Sequence, residues 1–138
     1  MKKSWGLTSR ILSGNKRIES RWYKFKRPPW NTIKAGDTVY FKDSGEPVTV
    51  VAEVRKVLQF PNLTNRKIRE IFERYGGSDG IGEGSLEFFI NHYKDRKYCI
   101  PVFLKNPKSI ASFNINKKGF GAMSAWISIG NVENIKVY

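Results

Sequence analysis

Cysteine and histidine are nearly missing from this sequence. A single cysteine, Cys99, lies inside an apolar run, so no disulfide can form within the chain and no Cys/His metal set exists. The one histidine, His92, falls in a helical stretch far from any nucleophile signature. A Ser-His-Asp or Cys-His mechanism would depend on it, and it reads instead as a surface or helix-face residue. No metal or other cofactor is expected. No stretch approaches the ~20 consecutive apolar residues of a membrane-spanning helix. The start, Met1-Lys2-Lys3-Ser4-Trp5, is positively charged but no apolar region follows, which is unlike a secretory signal. The expectation is a cytoplasmic protein with no membrane partner.

Acidic residues are also scarce: 12 Asp and Glu stand against 25 Lys and Arg, a formal charge of +13. Folding requires no such excess, so the charge is an argument about partners. It is unevenly placed. Residues 1 to 34 hold ten Lys or Arg against Glu19 alone, and the remainder holds fifteen basic and eleven acidic residues, close to balance. Nucleic acid suits such a patch through phosphate contacts and counterion release. An anionic membrane surface would call for a long helix with a strong apolar face, which the basic third lacks. At 138 residues, 40% hydrophobic and 14% aromatic, the chain is long enough for one domain with a real core, 1-138.

The coarse pattern alternates short elements. Leu7 to Ser13 is an amphipathic turn of helix stopped by Gly14, and a first strand follows. Trp22 to Trp30 (Trp-Tyr-Lys-Phe-Lys-Arg-Pro-Pro-Trp) interleaves aromatic and basic residues, and its two prolines favour an extended path. Ile33 to Asp37 turns into a strand at Thr38 to Lys42, and Asp43 to Pro47 is a hairpin turn. Val48, Val50, Ala52 and Val54 share one strand face, with Glu53 and Arg55 on the other. Leu63 to Tyr75 has helical spacing, capped by Thr64 or Asn65 and stopped by Gly76-Gly77. Ser78 to Gly84 reads as a flexible loop, and Ser85 caps a second helix through Tyr93. Tyr98 to Leu104 is a strand that Pro101 assigns to an edge or bulge. Asn106-Pro107 turns the chain, and strands follow at Ser109 to Ile115, Ala122 to Ile129 and Val132 to Val137. The expectation is an α+β fold, a small mixed domain built as a partly closed barrel.

The stretch from Gly14 to Arg21 concentrates chemistry. Lys16, Glu19 and Arg21 fall within six residues and run into Trp22 and Tyr23. Two readings stay open: a surface strand with solvated charges, or a polar site with aromatic walls.

Gly14-x-Lys16-x-x-Glu19-x-Arg21 resembles the signature of the ASCH domains (activating signal cointegrator homology), a branch of the PUA-like β-barrels. Ile33-Lys34-x-Gly36-Asp37-x-Val39 resembles the turn and strand that follow it there. Phe113-x-Ile115-x-Lys117-Lys118-Gly119-Phe120-Gly121 with Ala125-Trp126 resembles the late loop and closing strand of some members. The three blocks run in order from about Leu7 to Ile129. The resemblance implies a PUA-like mixed β-barrel of five to six strands with helices covering its openings. It implies a cleft between the first helix and the barrel, lined by signature residues and suited to RNA. Some members resemble hydrolases acting on acetylcytidine, with the motif lysine working beside a threonine. Here Lys16 matches that lysine, and Glu19 stands in the threonine slot, a departure that counts against the same amide hydrolysis.

Three functions follow. The first is binding of single-stranded or modified RNA, or of a nucleotide. Lys16, Arg17 and Arg21 would meet phosphate or a base edge, and Trp22, Tyr23, Trp30 or Phe120 would stack a base. Lys24, Lys26, Arg27, Lys117 and Lys118 would hold the backbone. The second is hydrolysis of RNA or a modified nucleoside, as a ribonuclease or amidohydrolase, with Lys16, Glu19 and Arg21 as the catalytic group and Tyr23 and Ser124 as weaker candidates. The third is a protein-interaction module using the strand around Pro101 and the loop Asp79 to Glu83.

Overall fold

The computed structural model describes residues 7–14, 16–27, 29–43, 45–79, 86–116 and 136–137, and for 7, 76–79 and 136–137 the backbone alone. The elements run α1 (Leu7–Ser13), β1 (Ile18–Tyr23), β2 (Thr38–Lys42), β3 (Val48–Val57), α2 (Asn65–Asp79), α3 (Leu86–Tyr93), β4 (Tyr98–Ile115) and β5 (Lys136–Val137). The fold is α+β. All pairings are antiparallel, in the order β1-β4-β3-β2, with β5 attached to the far end of β4. Among the described residues β1 and β2 do not pair, so the expected barrel of five to six strands is present as a sheet without closure.

Both faces of the sheet are covered, which explains the unbroken apolar run of Cys99 to Leu104. One face carries Ile11 of α1 with Val39, Phe41, Val50, Ala52, Val54, Ile100, Val102 and Leu104. The other buries Trp22 and Cys99 under Leu63, Ile68, Ile71 and Phe89. The expectation of helices over the barrel openings therefore holds poorly for α2 and α3, which lie against the second face of β1 and β4. Thr64 caps α2 as expected, its Oγ1 accepting from Lys67 N at 3.2 Å.

Three local expectations are corrected. Gly76-Gly77 does not stop α2, which continues to Asp79; glycine costs about 1 kcal/mol in a helix but keeps its N–H donor. Pro101 lies in the central strand and not at an edge. Leu58 N donates to Pro101 O at 3.0 Å just past the end of β3. The proline thus forgoes one rung, and the ladder resumes where Phe60 and Cys99 exchange bonds of 2.8 and 3.0 Å. This also removes the strand edge that the protein-interaction reading relied on. Asn106-Pro107 does not turn the chain. Asn106 takes a positive φ of 51° inside one continuous strand, and the register shifts there between Val51 and Glu53, a bulge that absorbs the proline. The expected strand at Ala122 to Ile129, the loop after Asp79 and the Ser85 cap lie outside the described residues.

Candidate functional site

Helix α1 ends at Ser13, and Gly14 takes φ 84°, the left-handed conformation that lets the chain reverse. Gly14 N donates to Ile11 O at 3.1 Å and Lys16 N to Arg10 O at 2.9 Å. This closure fixes Lys16 against the first residue of β1: its Nζ donates to Ile18 O at 2.8 Å, and the residue is only 3% exposed.

Strand alternation then sets the site. Glu19, Arg21 and Tyr23 stand opposite Val102, Ile100 and Tyr98, on the face of the first core. Glu19 is 6% exposed. Its Oε1 lies 3.0 Å from Arg21 Nη2, and its Oε2 lies 3.4 Å from Lys16 Nζ. Oε2 is buried and makes no hydrogen bond. The contact with Lys16 is thus Coulombic, while one of the three ammonium donors goes to Ile18 O. One carboxylate serves two cations, one wholly buried and one reaching the rim. Such a pair is weak evidence of stabilisation, since desolvation offsets much of the attraction. Glu19 Oε2 keeps an open lone pair but is shielded from solvent, so a ligand donor reaches it only when the side chains over it move aside.

Toward the rim the site becomes aromatic and cationic. The Arg27 guanidinium carbon sits 5.0 Å above the Tyr23 ring. Burial pushes the Tyr23 phenol above its ordinary pKa of 10.0, opposed by Arg21 and Arg27 and helped by the Glu19 charge. Trp30 meets Tyr98 edge-on at 5.1 Å, and Lys26 Nζ lies 5.8 Å from the Trp30 ring and 6.0 Å from that of Tyr98. An open cavity of about 490 Å3 is lined by residues that include Asn31, Ile33, Lys34, Lys56, Val57 and Gln59. It does not touch Lys16, Glu19 or Arg21. Its Ile33 and Val57 pack on the same core as Tyr23 and Trp30.

Of the residues singled out in the sequence, Lys16, Glu19, Arg21, Tyr23 and Arg27 converge, with Lys26 and Trp30 beside them. Trp22 does not join them. It lies on the opposite face, 8% exposed, stacked on Tyr93 at 4.4 Å and edge-on to Phe89 at 5.5 Å. Arg17 is exposed and donates through Nε to Gly14 O at 3.4 Å. Lys24 pairs with the exposed Asp95 at 3.1 Å. Lys117, Lys118, Phe120 and Ser124 lie outside the described residues. One residue the sequence reading left off its site list is Phe25, 77% exposed between Lys24 and Lys26. The signal was the strip itself, in which Phe25 alternates with exposed charge while Trp22, Tyr23 and Trp30 are buried or half-buried.

No family model and no curated protein matches the chain. Among solved structures, the ASCH protein from Zymomonas mobilis superposes with a TM-score of 0.58 at 16% identity, covering 83% of this chain and 69% of that one. Two single-substitution variants of it give TM-scores of 0.59 and 0.58 over the same 83% of this chain, at 16% and 15% identity, covering 71% and 70% of theirs. The fold is that of an ASCH domain. The expected ASCH resemblance is borne out at the level of the fold, and Glu19 and Arg21 lie on the core-facing side of β1.

Proposed function

We propose that residues 1-138 form a single ASCH/PUA-like module that holds single-stranded or modified RNA in a basic, aromatic-lined cleft beside the Gly14 to Arg21 motif. The observation that carries this reading is the buried Glu19 carboxylate. It lies between Lys16 and Arg21, keeps a buried oxygen without a hydrogen bond, and is near enough to Tyr23 for its charge to act on the phenol. A base amino group is a fitting donor for that oxygen. Arg21 and Arg27 would meet phosphate, Phe25 and Trp30 supply ring faces for stacking, and Lys24 and Lys26 supply backbone contacts. Trp22 takes no part, because its ring is spent on the α3 core. The excess of positive charge in the first quarter of the chain supports the same partner.

A second reading, hydrolysis of RNA or an acylated nucleoside, draws on the same open carboxylate oxygen, which could accept a proton from the attacking group. Glu19 and Lys16 would then be the acid–base pair. Titration of a labelled single-stranded RNA into wild type and Glu19→Gln, with acetylcytidine and RNA turnover followed in parallel, tests both. Micromolar RNA binding weakened by the substitution supports the module. Turnover that is present in wild type and lost in Glu19→Gln supports the enzyme. Absence of RNA binding at low salt removes the first reading.

A further inference from the structure

A second set of cations stands on the other side of the sheet. In a regular strand neighbouring side chains point to opposite faces, yet Arg55 and Lys56 both reach the ring of Phe103. The Arg55 guanidinium carbon is 5.2 Å and Lys56 Nζ 4.6 Å from its centre. The cause is the register shift between Val54 and Lys56, a bulge that re-aims one side chain. Phe103 pairs with Ile18 and so lies on the Trp22 face, opposite Glu19 and Arg21. Tyr75 of α2 meets Phe103 edge-on at 5.5 Å, and the Arg74 guanidinium carbon lies 5.6 Å from the Tyr75 ring.

These three cations are exposed, and among the described residues no carboxylate lies within 4 Å of any of them. On the same elements Glu70 pairs with Arg66 and Lys67 and Glu53 with Lys105, while Glu73, next to Arg74 in the sequence, is exposed and forms no ion pair among the described residues. A ring face holds a cation in place but does not neutralise it. The bulge therefore gathers like charge that simple solvation would scatter, and the rings fix the heads in advance, lowering the ordering cost of binding an anion. With the rings already covered by cations, the surface offers N–H donors outward and little apolar area, which fits a chain of phosphates better than an acidic peptide.

We propose that Arg55, Lys56 and Arg74 form a second phosphate-binding surface around Phe103 and Tyr75, on the other side of the sheet from Glu19 and Arg21, which holds the backbone of single-stranded RNA. This rests on the RNA-binding reading above. It is tested with the charge-neutral Arg55→Gln/Lys56→Gln variant, both side chains being exposed. Each lost phosphate contact lowers the magnitude of the salt slope for single strands by about 0.7, so the double variant should lose about 1.4 and bind a labelled single-stranded RNA roughly tenfold more weakly at low salt. The charge-preserving Arg55→Lys variant should retain most of both. Inorganic tripolyphosphate should shift the aromatic NMR resonances of Phe103 and Tyr75 in wild type and not in the double variant. If wild type binds RNA and the double variant matches it in affinity and slope, the second surface is overturned and the cleft stands. If wild type binds no RNA, the proposed function falls, and tripolyphosphate decides the anion site alone: unmoved Phe103 resonances overturn it. A polyglutamate peptide that moves those resonances when RNA does not overturns it in favour of an acidic protein.

Discussion

Glu19 Oε1 and Arg21 Nη2 meet at 3.0 Å on one face of β1, and the carboxylate they share with Lys16 is almost wholly buried. Removing the negative charge leaves two cations facing each other in a poorly hydrated place. Glu19→Gln should therefore destabilise the fold by about 3 kcal/mol, read as a lower urea midpoint with an unchanged m-value. Lys16→Met combined with Glu19→Gln should cost less than the two single losses added together, because they share one network. Strict additivity in that cycle would mean that the 3.4 Å contact carries no coupling.

Phe25 and Trp22 separate binding from folding. Phe25→Ala removes a 77% exposed ring, so unfolding should be nearly unaffected while RNA affinity drops by ~1–3 kcal/mol. Trp22→Ala vacates a buried site against Tyr93 and Phe89 and should destabilise by ~3–5 kcal/mol. Chemical denaturation and fluorescence-polarisation titration of both variants check this; the opposite ordering would put the stacking surface on the α3 side.

Tyr23 should give stability a pH dependence on the alkaline side. Its folded pKa is raised above 10.0, chiefly by burial. Between the unfolded value and the folded one, the native state binds the proton more tightly. The contribution is complete below pH 10 and is lost as pH rises from there through the folded pKa. In Tyr23→Phe that alkaline decline should flatten, and one tyrosinate that ionises above pH 10 should vanish from the near-ultraviolet titration.

Gly14 tests the helix closure that positions Lys16. An added Cβ would meet nothing within 4 Å, but φ is 84°. Gly14→Ala should cost about 1–2 kcal/mol through backbone conformation alone, seen as a lower thermal midpoint. Gly14→Asn should cost less, since asparagine tolerates this region.

The positions of Lys16, Glu19 and Arg21 were legible because a helix stop and a period-two strand are local patterns. The same holds for the Val48 to Val54 face and the Leu63 to Tyr75 stripe. What the sequence left open depended on contacts distant along the chain. Whether Trp22 stacked a base or filled a core turned on α3 arriving over it. Pro101 and Asn106-Pro107 looked like an edge and a turn because proline's local cost is visible, whereas the end of β3 and the bulge that absorb it are not. The gathering of Arg55 and Lys56 on one ring was hidden for the same reason. A bulge inverts the alternation from which faces are read, and nothing near Val54 announces it.

Strand β4 is bonded to β1, β3 and β5, and this has a kinetic side. The signature strand finds its partner only after the chain has passed through β2, β3, α2 and α3, so the cleft rests on the most sequence-distant pairing along β1. Loop-closure entropy for such a pairing is met before its contacts form, which slows folding. A nascent chain would then carry its basic, aromatic N-terminal strip unpaired until β4 emerges. The face that carries Glu19 and Arg21 and the completed sheet come into being together.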